Sequence, residues 1–363
     1  MQYSFSFGGV QCKGFFAIGV FAGLQGSDVD VRVCTWNGQV ENDFDVVSSL
    51  WGPWTSIVHH RGFTHSIFFA PLIAPIGGYI CWRLSKKRGD VKSWIHLAFW
   101  SLLTHPLLDV FTVYGTQLLT PVSDERFSLD GVSIIDPLYT LPLLIALILA
   151  FVWRKHPRRG QRLTAAMLVA TTLYLGLGYW TGQGARKAYA SQLEQGRELT
   201  LDRVRATPTF ANLIVWRVMA TDNQGDTHVG LYSVTKKNEV AFVTKKKLES
   251  PLIARAMEDE RAQLFTWFAQ DWIGYRIEEV PDSQTVHLYM DDLRYGGMRQ
   301  PLQAMWGAQV TFEGSDQMLT DVERVNYRRN QDIGEEISAL WRAITRGPDA
   351  VVRDAKIASE PKP

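Results

Sequence analysis

Residues 137–153 read PLYTLPLLIALILAFVW, and residues 163–181 read LTAAMLVATTLYLGLGYWT. Neither stretch contains a charged side chain, and each comes close to the ~20 apolar residues that a helix needs to cross a lipid bilayer. Both stretches therefore predict membrane-spanning helices, although the mean hydropathy of the whole chain, −0.08, is that of a soluble protein.

Two more apolar stretches precede them. Residues 67–84 contain Pro71, and membrane helices tolerate proline better than soluble helices do. Residues 93–113 are the least apolar of the four, because they carry two histidines and an aspartate. The pattern predicts a membrane domain with four spans over residues 58–182, after a poorly readable segment over residues 1–57.

The loops between these stretches differ in charge. Residues 86–88 read KKR and residues 154–162 read RKHPRRGQR, whereas the loop over residues 114–136 is acidic. Loops rich in Lys and Arg stay in the cytoplasm. The sequence therefore predicts a multi-pass protein of the bacterial inner membrane whose carboxyl-terminal domain lies in the periplasm.

From about residue 183 the composition becomes that of a soluble domain. Short runs of β-branched and aromatic residues alternate with Asp, Asn, Gly and Pro clusters, which is typical of strands. The predicted strands lie within residues 210–222, 227–235, 239–245, 274–280, 285–295 and 308–314. Helical spacing of apolar residues appears over residues 252–271 and again over residues 332–346. The predicted fold class is a multi-span α-helical membrane domain followed by an α+β soluble domain, residues 183–350, with a mainly antiparallel sheet. Residues 351–363 are expected to be disordered.

Charge and cysteine content exclude two classes of protein. Lys and Arg number 38 against 37 Asp and Glu, so no overall basic field favours nucleic acid as a partner. The 3 cysteines show no metal-binding spacing and cannot build a disulfide-rich scaffold. The expected partners are membrane lipids and a small-molecule or lipid-like substrate, and the oligomeric state stays open.

The motif HRGFTHS stands at the entrance to the first apolar stretch. It places His60 and His65 on either side of a glycine, so their side chains can converge if a helix begins between them. Thr64 is suited to be the N-cap of that helix. Arg61 adds a planar cation that matches phosphate or carboxylate groups.

The motif HPLLD lies late in the second apolar stretch. His105 and Asp109 stand at positions i and i+4, and they therefore share one face of a helix. Imidazole is a common metal ligand, and carboxylate is a hard oxygen donor. Pro106 is expected to bend the helix or to free a carbonyl group there.

A shared location connects the two motifs. In the predicted span order, their ionisable groups lie at the outer ends of the spans, where such groups are costly and indicate function. Imidazole together with carboxylate suits a divalent metal such as Zn, Mn, Fe or Ni, which would acidify a bound water. A purely structural polar cluster and an ion or proton path are the alternatives. The predicted metal ligands are His60, His65, His105 and Asp109.

Four more aspartates are candidates for the same site. Asp130 precedes a glycine and Asp136 precedes a proline, so turn formation and helix capping stay open beside a role in the site. Asp28 and Asp30 follow the apolar stretch 14–24. Whether that short stretch crosses the membrane stays open, and so does the part these two aspartates play.

The two histidine motifs, in this order and with an apolar stretch between them, resemble the bacterial membrane-bound metal-dependent hydrolases of the YdjM-like type. The resemblance covers roughly residues 58–300 and is most specific from His60 to Pro142. Two later phrases are similar to the same family: ATPTFANLIVWRV, residues 206–218, and DDLRYG, residues 291–296. The resemblance implies hydrolase activity and metal binding by His60, His65, His105 and Asp109, with Asp130 and Asp136 as additions.

The leading interpretation is a metal-dependent hydrolase with its site at the outer membrane face, acting on a phosphorylated or lipid-like substrate. Arg61 would position an anionic group, and Asp136 or Asp130 would orient the attacking water or add a ligand. The alternative is a non-enzymatic membrane scaffold or ion-conducting bundle whose soluble domain binds a partner. Bound metal separates the two interpretations, because a scaffold needs none.

Overall fold

The computed structural model of the chain describes residues 52–195, 200–236, 241–327 and 333–352. The apolar stretch 14–24, Asp28 and Asp30 lie outside the described residues. So does the predicted disordered tail beyond its first two residues, Val351 and Val352, which are buried.

The chain folds into two compact units. The first runs through the amino-terminal part to Tyr179 and includes Phe210–Asn212, and the second comprises Trp180–Thr209 and the chain from Leu213 onward. The boundary between Tyr179 and Trp180 falls inside a single long helix.

The first unit is helical. Its elements are α1 (Pro53–His59), a short 3₁₀ helix (Phe63–His65), α2 (Phe69–Leu84), α3 (Val91–Asp109), α4 (Pro137–Val152) and the first part of α5 (Pro157–Glu194).

Helices α2 and α3 pack closely because α2 presents small residues to α3. A Cβ atom added to Gly78 would lie 2.6 Å from the Cα atom of Ile95, so the two backbones are nearly in contact there. Ala70 and Ala74 continue this face and pack against Leu102. Small residues allow such an approach between membrane helices, and here they position α3, which carries His105 and Asp109.

The prediction of a multi-span membrane domain is wrong. Within the described residues, α5 is the one helix long and apolar enough to cross a membrane. A second crossing would require Pro53–His65 and Phe69–Leu84 to form one span despite a bend of 73°. Only 22% of the most apolar part of α5 is buried, unlike the core helix of a soluble protein.

Length and polarity explain the failure. Helices α2 and α4 have 16 residues each, which gives about 24 Å at 1.5 Å per residue, short of a hydrocarbon core of ~30 Å. Helix α3 has 19 residues but includes a lysine, two histidines and an aspartate. The predicted side of the membrane for the site depended on four crossings, and that inference loses its basis with them.

Helix α4 nevertheless leaves an apolar face exposed. Leu141, Ile145 and Ile148 lie on one side of the helix, and each is about half exposed. Exposed apolar faces of this kind mark surfaces that contact membranes or other proteins. The first unit therefore has surface suited to lipid in addition to α5.

The second unit contains two four-stranded antiparallel sheets, where a single mainly antiparallel sheet was predicted. In each sheet, strands that follow one another along the chain are neighbours. The first sheet consists of β1 (Leu201–Pro208), β2 (Val215–Asp222), β3 (Thr227–Ser233) and β4 (Ala241–Lys245). The second consists of β5 (Ile273–Glu279), β6 (Thr285–Asp292), β7 (Trp306–Glu313) and β8 (Met318–Asn326). The helices are α6 (Pro251–Ala256), α7 (Glu260–Phe268) and α8 (Ile333–Arg346).

The first sheet is covered on both faces. Trp216 and Val218 of β2 pack with Tyr189 of α5 in one apolar cluster. Met219, on the opposite face of the same strand, packs against Trp272 in another. Successive side chains of a strand point to opposite faces of the sheet. Since both faces are covered, β2 is buried along almost its whole length.

Three element predictions in this unit need correction. The single helix predicted over residues 252–271 is two helices, α6 and α7, with a break at residues 257–259. Strands β1 and β8 were missed, because Asp and Arg in β1 and Asp, Glu and Arg in β8 interrupt their apolar residues. The second predicted helix is present as α8.

Candidate metal centre

A tight turn after α1 places the side chain of His65 in the interior. Arg61 has a left-handed backbone, with φ of 62°. A Cβ atom on Gly62 would lie 2.9 Å from the carbonyl oxygen of His59, so the turn requires glycine there. The 3₁₀ helix that follows ends at His65, whose side chain is completely buried.

The loop after α3 holds this turn in place through hydrogen bonds. The backbone N–H of Gln117 donates to the carbonyl of Arg61 at 3.0 Å, and its side-chain amide donates to the carbonyl of Val58 at 2.8 Å. One residue on, the carbonyl of Leu118 accepts from the N–H of Ile67 at 3.0 Å. The segment that carries His65 is therefore fixed to the chain that continues from α3.

His65, His105 and Asp109 converge. His65 Nε2 lies 3.1 Å from His105 Nε2 and 3.5 Å from Asp109 Oδ2, and His105 Nε2 lies 3.8 Å from the same oxygen. Atoms that share one metal ion at ~2.0–2.2 Å are separated by roughly 3–4 Å, depending on the angle between them. Among the described residues, these three form the group whose ligand atoms could hold an ion, and all three are buried.

Arg61 joins this group through Asp109. Its Nε lies 3.0 Å from Asp109 Oδ2, and its Nη1 donates to Thr112 Oγ1 at 2.8 Å. Thr112 in turn donates to the backbone carbonyl of Asp109 at 2.7 Å. The Nδ1 atom of His65 lies 3.0 Å from Thr64 Oγ1, a contact that orients the imidazole. The threonine predicted as an N-cap thus contacts the histidine directly.

His60 takes a different position from the other predicted ligands. Its ring packs edge-on against Tyr114, with the centroids 5.3 Å apart, and it is not a member of the group of three. The structure therefore brings together three of the four predicted ligands. The role of His60 as a fourth ligand stays a prediction.

The sequence analysis assigned no contact with the site to Tyr114 or Arg126. The Tyr114 ring contacts two guanidinium groups, that of Arg61 at 4.6 Å and that of Arg126 at 5.1 Å from its centroid. Arg126 is buried, and its Nη2 donates to the carbonyls of Tyr114 and Gly115. A buried arginine indicates a role in the interior of the protein. Burial cannot be seen in the sequence, where Arg126 is simply the one basic residue of an acidic loop.

Asp136 caps helix α4. Its Oδ1 accepts from the backbone N–H groups of Leu138 at 2.9 Å and Tyr139 at 3.4 Å, and its Oδ2 accepts from the hydroxyl of Tyr174 at 2.9 Å. Burial raises the pKa of this carboxyl group, while the hydrogen bonds act in the opposite direction. The structure shows the capping alternative and does not bring Asp136 into the group of three.

Asp130 lies in a turn near the end of α3. Its backbone is left-handed, with φ of 51°. The N–H groups of Leu129 and Gly131 on either side donate to the carbonyls of Val110 and Phe111. The turn alternative is present at this position too, and Asp130 is outside the group of three. The catalytic roles of Asp130 and Asp136 stay predictions.

Comparison with known proteins confirms the family resemblance. Residues 16–185 match the model of a family described as YdjM inner membrane protein. That region contains every described residue of the candidate metal centre. The part of the chain that carries the site is thus similar to a bacterial inner-membrane family.

Two curated proteins are similar to parts of this chain. "Inner membrane protein YbcI" of Escherichia coli (strain K12) is 40% identical over 88 residues, which are 23% of this chain and 50% of that protein. "Uncharacterized protein YfhP" of Bacillus subtilis (strain 168) is 31% identical over 151 residues, which are 40% of this chain and 43% of that protein. The chain thus spans about half the length of these relatives. No solved structure matches.

Proposed function

We propose that this protein is a membrane-associated, metal-dependent hydrolase that acts on a phosphorylated substrate. The observation that carries the proposal is the convergence of three buried ligand atoms from His65, His105 and Asp109. Burying a carboxylate and two imidazoles is expensive unless they are paired or hold an ion. Their separations fit a shared ion without any rearrangement of the helices.

The donor set fits a catalytic metal. Two imidazole nitrogens and one carboxylate oxygen suit Zn, Mn, Fe or Ni, and three protein ligands leave a position open for water or substrate. A divalent ion in such a site lowers the pKa of a coordinated water and polarises a phosphoryl or carbonyl oxygen. The contact of Thr64 with His65 would hold that imidazole in place, as partners of metal-binding histidines do.

The charges around the group favour an anionic substrate. Arg61 and Arg126 are both buried beside Tyr114, and Asp109 is the single carboxylate of the cluster. A divalent ion would add two positive charges to this group. Phosphate groups match both the charge and the planar fork of arginine. A phosphate ester is therefore a better candidate than a neutral ester.

A non-enzymatic scaffold is the second candidate, and one observation favours it. Arg61 pairs with Asp109 at 3.0 Å, so the polar cluster has an internal countercharge and could serve structure alone. A scaffold would bind no stoichiometric metal. The two candidates are thus separated by the metal content of the protein.

The test uses the full chain purified in detergent. We expect stoichiometric divalent metal, hydrolysis of phosphate esters in a panel that also contains carboxyl esters, and loss of activity on chelation. Arg126→Gln should retain metal and raise KM for a phosphate ester about tenfold, the effect of losing one charge-assisted contact. Arg158→Gln, which changes an exposed arginine, is the matched control. A metal-free protein that hydrolyses none of the panel supports the scaffold.

We also propose that the second unit lies outside the cytoplasm. Five basic residues of the segment 154–162 precede the apolar part of α5, against two, Arg186 and Lys187, near its other end. The side with more Lys and Arg is usually cytoplasmic. A reporter fused after Pro363 should be active in the periplasm, and a cytoplasmic signal there would reverse this topology.

A further inference from the structure

Helix α8 is fixed to the second unit by one of its faces. Ala339 and Ala343 are completely buried and belong to one apolar cluster with Val215 of β2 and Leu231 of β3. Small side chains at these positions let the helix lie close to the first sheet. The face of α8 that points away from this cluster is therefore the surface of a firmly packed helix.

That outward face carries a stripe of large apolar side chains. Ile333, Ile337 and Trp341 are 77%, 53% and 66% exposed, and they follow one another at intervals of four residues, so they lie along one side of the helix. Beyond α5, Met318 is the one other exposed large apolar residue among the described residues of this unit. Exposed apolar surface concentrated in this way marks a contact with a membrane or a protein.

Basic side chains lie at the carboxyl-terminal end of α8. Arg346 is the last residue of the helix and is exposed. Lys236, which is also exposed, lies close to this end, because a Cβ atom on Gly347 would be 3.9 Å from the Cβ atom of Lys236. A helix that combines an apolar stripe containing tryptophan with nearby cations is typical of helices that lie in the surface of a bilayer.

The acidic side chains of α8 are engaged by a neighbouring loop. Glu335 forms an ion pair with Arg299, and Glu336 accepts a hydrogen bond from the backbone N–H of Met298 at 2.9 Å. Asp349, which follows the helix, is half-buried. The charge exposed at the carboxyl-terminal end of α8 is therefore basic, and it complements the anionic headgroups of a membrane.

A bilayer fits this surface better than a second protein does. Side chains of this size offer on the order of 150 Å² each, so the stripe falls well short of the ~800 Å² that each partner buries in a standard protein interface. Tryptophan is enriched where a bilayer meets water. The second unit begins inside α5, the helix long and apolar enough to cross a membrane, and such a tether keeps lipid at a high effective concentration.

We propose that α8 is a lipid-binding helix that attaches the second unit to the surface of a membrane containing anionic lipid. Ile333, Ile337 and Trp341 enter the interface of the bilayer, and Arg346 and Lys236 contact the phosphate-bearing headgroups. The second unit then has an attachment to the membrane besides α5. This surface lies outside the candidate metal centre and does not depend on the hydrolase proposed above.

Photo-crosslinking of the full chain tests what covers the stripe. The residue p-benzoylphenylalanine replaces Ile337, and the protein is reconstituted in nanodiscs of phosphatidylcholine with or without phosphatidylglycerol. After irradiation, mass spectrometry should identify lipid adducts, with a higher yield when phosphatidylglycerol is present. The same crosslinker in place of Gln284, in the exposed turn between β5 and β6, is the matched control and should give few lipid adducts.

Substitutions on α8 separate the apolar contribution from the basic one. With the crosslinker at position 337, Arg346→Gln should lower the ratio of lipid-bound to free helix about fivefold, the effect of one basic residue near an anionic surface. Lys247→Gln, which changes an exposed lysine paired with Glu249, should leave this ratio unchanged. Trp341→Ser should lower the yield of lipid adducts while the melting temperature stays near that of the wild type, because the side chain is mostly exposed.

Three results would overturn the proposal. Adducts of position 337 with a second copy of the chain, or with another segment of the same chain, would show that protein covers α8. Equal yields of lipid adducts at positions 337 and 284 would show that the stripe has no preference for lipid. A large fall in the melting temperature of Trp341→Ser would mean that this side chain is packed in the protein.

Discussion

The two units differ in the apolar surface that their elements expose. On α4 of the first unit, Leu141 and Ile145 are about half exposed, whereas Trp216 and Val218 on β2 of the second unit are completely buried. Both interiors contain apolar clusters and ionisable groups, with His65 and its partners in the first unit and Asp292 with Arg294 in the second. The second unit is stabilised by an apolar core, as expected in water, and the first exposes apolar surface around a polar centre, as expected of a membrane-associated unit.

The largest difference between the units should appear in unfolding experiments. Trp216→Ala is expected to reduce the free energy of unfolding by ~3–5 kcal/mol, because it empties a large buried site. Ile145→Ala on the exposed face of α4 should change it by only about 0.5 kcal/mol. Chemical denaturation in detergent measures both. Equal losses in the two variants would mean that the face of α4 is covered and that the contrast between the units is wrong.

Close packing of α2 and α3 gives the next largest effect. Gly78→Ala should cost about 1–3 kcal/mol, because the new methyl group collides with the backbone of Ile95 and forces the helices apart. Metal affinity should fall with it, since α3 carries His105 and Asp109. Gly176→Ala in α5 meets no atom within 4 Å, and as a control it should be neutral or stabilising by up to about 1 kcal/mol. Similar effects in both variants would argue against the close approach.

A smaller effect is expected at the cap of α4. Asp136→Ala should cost about 1 kcal/mol, and Asp136→Asn much less, because asparagine also caps helices well. Thermal unfolding measures the difference. Both variants should retain metal if capping is the role of Asp136. A strong loss of metal from the asparagine variant would instead restore Asp136 to the site, as a ligand.

The sequence predicted the centre of the site better than its surroundings. His105 and Asp109 share a helix turn, so their proximity follows from spacing alone, and His65 belongs to a motif that the family resemblance connects to them. The contacts of Tyr114 with Arg61 and Arg126 were not predicted, because a loop brings these side chains together and no local period encodes such contacts. The contact of His60 with Tyr114 also joins residues far apart in the sequence, so the sequence alone could not decide whether His60 is a ligand.

The span count failed for a related physical reason. Apolar composition indicates which residues are removed from water, but it does not show where a helix bends or ends. The bend before Phe69 and the end of α4 at Val152 depend on turns and contacts that composition does not describe. In the second unit, the buried strand β2 was found, because most of its residues are apolar and these lie on both faces. The polar β8 was not, since only Val322 of its side chains is fully buried.

Metal content tests the central claim most directly. The full chain, purified in detergent and dialysed against Zn, Mn, Fe or Ni, should retain about one equivalent of one of these ions. His65→Ala, His105→Ala and Asp109→Asn should each lose it, whereas His96→Ala, an exposed histidine on the same helix as His105, should not. A wild-type protein that retains no metal, or full occupancy in all three ligand variants, would contradict the account.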